Sequence, residues 1–204
     1  MTNVLIIGAT GTIGGAVRQT LLKETDNRLT LFARSASRLN VSDRETVVAG
    51  DVTKDSDLDK AMKGQDAVFV ALSGPLDQFA KRIVAAMDRN NVSRLLFITS
   101  MGIYNEIPAS VGSNGNLSSN GNLSSNGVLR PYREAADVIE ASDLNYTVIR
   151  PGWFTNGPVN YEITRKGEPF GGHDVSISSI ADFVEKAIAD DTYYSHDSVG
   201  LNAK

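Results

Sequence analysis

Runs of apolar residues alternate along this chain with stretches whose apolar positions recur at helical spacing. Val4-Leu5-Ile6-Ile7 is a continuous apolar run, which suits a strand covered on both faces. From Thr12 to about Glu24, residues Ile13, Val17, Leu21 and Leu22 fall at helical spacing and predict a helix. The same reading places strands at 29–33, 46–49, 67–72, 95–99, 146–149 and 199–201. Further helices are expected at 58–62, 79–88, 131–141 and 179–189, the second with Phe79, Ile83, Val84 and Met87 on one side. Strand and helix in regular alternation predict an α/β fold: one domain, a doubly wound parallel sheet with helices on both faces and right-handed crossovers.

One segment breaks the pattern. Residues 113–127 read SNGNLSSNGNLSSNG, a six-residue unit repeated and begun again. Asn, Ser and Gly favour turns and offer little to bury. The plain reading is a tolerated surface insertion. The sharper one is a lid, because the segment follows the fifth strand, whose carboxyl end faces the ligand side of such a sheet.

The strongest local signal is Gly8-Ala9-Thr10-Gly11-Thr12-Ile13-Gly14, set between the first strand and the first helix. A sharp turn favours glycine at Gly8, close approach of backbone to a pyrophosphate favours it at Gly11, and tight packing of helix on strand favours it at Gly14. The helix amino end then offers free N–H groups and a positive dipole end to phosphate. The placement predicts dinucleotide binding on a Rossmann-type sheet.

The spacing Gly-x-x-Gly-x-x-Gly resembles the first turn of the short-chain dehydrogenase/reductase superfamily. It is most similar to the extended and atypical branches, which include NAD(P)H-binding epimerase-like proteins, flavin reductases and non-catalytic cofactor sensors. The resemblance continues through Gly50-Asp51-Val52, Ala71-Leu72-Ser73-Gly74, Thr99-Ser100-Met101-Gly102-Ile103-Tyr104 and Tyr146-Thr147-Val148-Ile149-Arg150-Pro151-Gly152, and through the late helix at 176–183. It spans roughly residues 3–190 apart from the insertion. It implies an Asp beside the adenine at Asp51 with Val52, small residues along the cofactor at 71–74, cofactor contacts at Thr99 and Ser100, and a crossing of the nicotinamide end at Pro151, Gly152, Trp153 and Phe154.

NAD enzymes place a carboxylate at the end of the second strand, where it holds the adenosine ribose. Here that strand ends in Ala33-Arg34, followed by Ser35 and Arg38. A guanidinium can instead fork onto a ribose 2′-phosphate. NADP(H) is therefore expected in preference to NAD, with Arg34 as the main contact and Ser35 and Arg38 assisting.

The catalytic pattern departs from the superfamily, whose reductases usually carry Tyr-x-x-x-Lys on the helix after the fifth strand. Counting back from Ala141-Ser142-Asp143-Leu144, that Tyr falls on Val128 and that Lys on Tyr132, and no Lys occurs between Lys81 and Lys166. Ser100, Tyr104 and Tyr132 are the remaining candidates to hydrogen-bond an acceptor. Trp153 and Phe154 are candidate walls for a flat substrate.

Composition narrows the partners. The 204 residues carry a net charge of −4 with scattered Lys and Arg, which argues against a nucleic-acid footprint. There are no cysteines, and His173 and His196 are the only histidines, so no metal is expected. No Gly-x-Ser-x-Gly elbow occurs, and the run Asp51, Asp55, Asp57, Asp59 reads as the cap and solvated face of a short helix. The apolar run after Met1 is too short for a leader or a membrane span, so a cytoplasmic protein without membrane contact is expected. Two functions stay open: an NADPH-dependent oxidoreductase passing hydride to a quinone or flavin, or a non-catalytic NADP(H) sensor acting through a regulatory protein partner. An epimerase or dehydratase would need a larger substrate lobe. Oligomeric state is open.

Overall fold

The computed structural model describes residues 1–109, 111 and 121–204. Eight strands form one sheet in the order β3-β2-β1-β4-β5-β6-β10-β8. They are β1 (Asn3–Ile7), β2 (Arg28–Ala33), β3 (Glu45–Ala49), β4 (Ala67–Val70), β5 (Arg94–Ile98), β6 (Asn145–Pro151), β8 (Glu162–Arg165) and β10 (Asp197–Asn202). The chain builds outward from β1 to β3, returns to β4 beside β1, and builds the other way. That reversal opens a crevice at the carboxyl ends of β1 and β4, the place where such sheets bind ligands.

The strands are apolar throughout because both faces are covered. Leu5 and Ile7 face a core closed by α2 (Asp55–Met62), α3 (Leu76–Asn90) and α4 (Arg130–Glu140). Val4 and Ile6 face a second core closed by α1 (Thr12–Glu24) and α5 (Ile177–Ala189). Buried Arg94 donates to the Ala187 and Tyr193 carbonyls and to the Thr147 hydroxyl near the amino end of β5; these bonds offset part of the cost of burial, which still lowers its pKa to about 10.

Several expectations are corrected. The sheet is not wholly parallel: β8 runs antiparallel to β10 at one edge. β8 and the parallel pair β7 (Trp153–Thr155) and β9 (Asp174–Ser176) were not expected. They are three or four residues long, too short to show an alternating pattern. α3 begins three residues earlier than Phe79, at Leu76, because the inward row is Leu76, Ala80, Ile83 and Met87. β4 stops at Val70, and Ala71 makes one last bond to the Ile7 carbonyl before the chain leaves the sheet.

Of the 113–127 segment, residues 113–120 lie outside the described residues, and the lid expectation lies with them. The remainder packs against the loop that follows β5: Asn122 exchanges two bonds with the Ile107 backbone, and Asn105 accepts from the Ser124 amide. Among the described residues, no helix is long and apolar enough to cross a membrane.

Candidate functional site

The first glycine turn is built by close backbone contact. Gly8 adopts φ +92° and donates to the Phe32 carbonyl at 2.9 Å. A Cβ at Gly8 would run into the Ala71 carbonyl, and one at Gly14 into the carbonyl of Gly8. These two glycines are required by protein packing itself. Gly11 is different: it is exposed and caps α1 without a side-chain acceptor. The first N–H groups of the helix are thus left for a ligand. Thr10 and Thr12 are exposed beside it, whereas the Ile13 side chain is buried in the core and can offer only its backbone.

A cleft of about 330 Å³ lies next to this turn, lined by Gly8, Phe32, Ala33, Arg34, Gly50–Thr53, Leu72, Ser73, Pro75 and Phe79. Arg34 is exposed and has no ion-pair partner among the described residues. Ser35 bonds Thr10 at 3.3 Å and so ties the β2 loop to the glycine turn. Arg38 is exposed on a short 3-10 helix, Ala36–Arg38, outside the cleft lining. Asp51 accepts from the Thr53 amide and hydroxyl, both at 2.9 Å through Oδ1. Those two bonds, with the charge of Arg34 nearby, hold its carboxyl below the usual range, so it stays ionised beside the cleft. Gly74, at φ +115°, turns the chain from Ser73 into α3.

A second cleft, about 250 Å³, opens at the ends of β5 and β6, lined by Thr99, Ser100, Met101, Tyr132, Pro151, Gly152, Trp153 and Phe154. Trp153 is 55% and Phe154 50% exposed, so they are not core aromatics. Gly152 lets the chain pass against the His173 backbone, where a Cβ would collide, and Trp153 donates to the His173 carbonyl at 2.8 Å. The His173 ring lies nearly parallel to the indole, 6.3 Å between centroids. Thr99 spends its hydroxyl on the Ile149 carbonyl, whereas Ser100 and Tyr132 have no side-chain hydroxyl partner among the described residues.

Tyr104 is not brought to this cleft. Its hydroxyl donates to Glu140 and bonds Ser198, and its ring lies under Arg133, Arg150 and Lys166. Burial, reinforced by Glu140, pushes its pKa well up and keeps the hydroxyl protonated, but that hydroxyl is spent on Glu140 and Ser198 away from the cleft, which corrects its expected role as a donor to an acceptor. Val128, at the usual Tyr position, is 73% exposed on a 3-10 turn (Gly127–Leu129), and Lys166 is paired with Glu140. Among the described residues no cluster could hold a metal ion. The sequence did not single out Phe32, Thr53, Pro75, Phe79 or Met101 as lining residues. Phe79 carried a signal that reads equally as helix core.

The profile of a protein family described as NAD(P)H-binding matches residues 8–191. The chain belongs to this family. A Rossmann-fold NAD(P)-binding family protein from Shigella flexneri is 35% identical and superposes with a TM-score of 0.84 over 100% of this chain and 94% of that one. A short-chain dehydrogenase/reductase from Veillonella parvula, solved in complex with NADP, is 26% identical with a TM-score of 0.86 over 98% of this chain and 94% of its own. A Streptomyces griseus protein named (4-alkanoyl-5-oxo-2,5-dihydrofuran-3-yl)methyl phosphate reductase is 26% identical over 78% of this chain. The chain spans 50% of that reductase's length. The family assignment agrees with the glycine turn and with the doubly wound sheet.

Proposed function

We propose that this protein is an NADPH-dependent oxidoreductase that reduces a small, flat acceptor such as a quinone or a flavin. The observation that carries the proposal is the second cleft, an aromatic slot on the same edge of the sheet as the glycine turn. The residues present fit a dinucleotide: the turn is held by two glycines that admit no Cβ, and α1 opens onto it without a side-chain cap. When bound, NADPH supplies the hydride.

The chain's own groups do the rest. The Gly11 amide is spent on the Gly8 carbonyl at 2.9 Å, so the free N–H groups of Thr12 and Ile13 in the first turn of α1 would receive the pyrophosphate. Arg34 and Ser35, with Arg38 assisting from the adjoining exposed 3-10 helix, would take the 2′-phosphate, and Asp51 and Val52 would flank the adenine. Trp153 and Phe154 wall the acceptor and exclude water from one side. Ser100 and Tyr132 donate hydrogen bonds to its oxygen or ring nitrogen. The reduced acceptor gains one hydride and one proton, and solvent supplies the proton. NADPH preference is supported by the missing carboxylate after β2 and by the NADP-bound relative. Reductive chemistry is supported by the name of the Streptomyces relative.

A second reading, a non-catalytic NADP(H) sensor with a protein partner, is favoured by one observation: no Lys stands on α4 where the superfamily's dyad would be. Consumption of NADPH and NADH, followed optically with quinones, free flavins and simple carbonyls, separates the two. Faster turnover of a quinone or flavin with NADPH supports the enzyme. Tight NADPH binding with no turnover of any acceptor supports the sensor. Turnover of carbonyls alone overturns the assignment of the acceptor.

A further inference from the structure

Three segments of chain wall the acceptor cleft, and each adjoins a residue in contact with one network centred on buried Glu106 and Arg150. Ser100 and Met101 line the cleft, and the Gly102 amide donates to Glu106 Oε1 at 3.0 Å. Tyr132 lines it, and Arg133 lies over the Tyr104 ring at 4.6 Å. Pro151 to Phe154 line it, and Arg150 donates to Glu106 Oε1 at 2.6 Å.

Arg150 is fully buried and the Glu106 side chain is 5% exposed. Arg150 also reaches the Ser198 hydroxyl and carbonyl at 3.2 Å each. Glu106 Oε2 takes the Tyr104 amide at 2.8 Å. The Tyr104 hydroxyl completes the circuit to Glu140 on α4 and to Ser198 on β10. None of these side chains lines either cleft. A buried charge pair with every oxygen engaged gives little net stability, yet it fixes geometry strongly, because any displacement leaves a charge unpaired.

We infer that Glu106 and Arg150 are positioning residues that hold the β5 loop, α4 and the β6–β7 turn in register around the acceptor, an inference that rests on reading this cleft as the acceptor site. They act through Ser100, Tyr132 and Trp153 and touch no reactant. The loop they clamp is turned tightly, with Gly102 at φ +83° and Asn105 at φ +62°. Among the described residues, Glu106 is the one side chain that accepts from both the Gly102 and the Tyr104 amides.

The test uses Glu106→Gln, which keeps the shape and removes the charge. Trp153 is the only tryptophan, so its fluorescence reports on the cleft without turnover. The expected result is acceptor kcat/KM lowered about ten-fold or more, as small misplacement of reacting groups costs heavily. NADPH affinity stays within about two-fold, because the network lies apart from the glycine turn. Acrylamide quenching of Trp153 rises. Thr147→Val is the control: it removes a buried hydroxyl bonded to Arg94 and the Tyr194 carbonyl, near the other end of β6, and leaves all three readings unchanged. If Glu106→Gln does not fold, Tyr104→Phe decides by the same readings. Folded variants with wild-type quenching and wild-type acceptor kinetics overturn the inference, as does an equal change in Thr147→Val. Should wild type turn over no acceptor, the functional proposal fails, and the quenching comparison alone still decides this inference.

Discussion

Replacing Arg34 by Ala should convert a cofactor preference into near indifference. Arg34 lines the first cleft, follows β2 where a carboxylate would serve NAD, and has no ion-pair partner among the described residues. A hydrogen bond to a charged group contributes about 1.5–3 kcal/mol. That corresponds to roughly ten- to hundred-fold in Kd, at about 1.4 kcal/mol per factor of ten. The side chain is exposed, so salt screens the contact and the lower end of the range is expected at physiological ionic strength. NADH has no 2′-phosphate, and its affinity should change less than about two-fold on the same argument. Calorimetric titration of wild type and Arg34→Ala with both cofactors, at two salt concentrations, reads the whole pattern. Equal weakening of NADPH and NADH, or no weakening of either, would refute the reasoning.

Three other perturbations probe separate links. Gly14→Ala puts a methyl group against the Gly8 carbonyl, where backbone meets backbone, and should cost about 1–3 kcal/mol of stability together with most NADPH binding; a thermal melt with and without NADPH checks it. Trp153→Ala removes an exposed ring, so the melting behaviour should move by no more than about 0.5 kcal/mol, while acceptor KM rises several-fold and NADPH affinity holds. Glu45 is buried, which pushes its carboxyl up, but bonds from Arg18 and Ser42 outweigh this and leave it below the ordinary value. The stability it contributes is therefore present above the unfolded carboxyl's pKa of about 4.3 and is lost as pH falls through the lower folded value. Glu45→Gln should flatten the acid limb of the stability curve in that window and leave the curve near pH 7 parallel to that of wild type.

The parts of the fold that were legible in the sequence are those where periodicity runs long. α1 was read to its observed ends, Thr12 and Glu24, because four apolar residues and the preceding glycine turn fix both its face and its start. β7, β8 and β9 were not read, since three or four residues cannot display a period and their pairing partners lie far along the chain. The glycine turn was legible because its three glycines stand between an apolar strand and a helical pattern, although Gly8 packs against Phe32 and Ala71 far along the chain. The acceptor side was legible only in part. Trp153 and Phe154 were placed at the cleft, but Tyr104 looked equally available in sequence. What removes it is a contact with Ser198, which no spacing rule connects to the β5 loop. Arg150 was read as one letter of a motif, and its complete burial against Glu106 is visible only in three dimensions.

The central claim is that this chain takes hydride from NADPH and gives it to a flat acceptor held at Trp153. The most direct test compares oxidation of NADPH with that of NADPH deuterated at the transferred position, using a naphthoquinone and the purified protein. The account predicts saturable turnover, faster than with NADH, and a primary isotope effect that persists in Trp153→Ala at lower kcat/KM. NADPH that binds tightly and remains unoxidised with every quinone and flavin would contradict it.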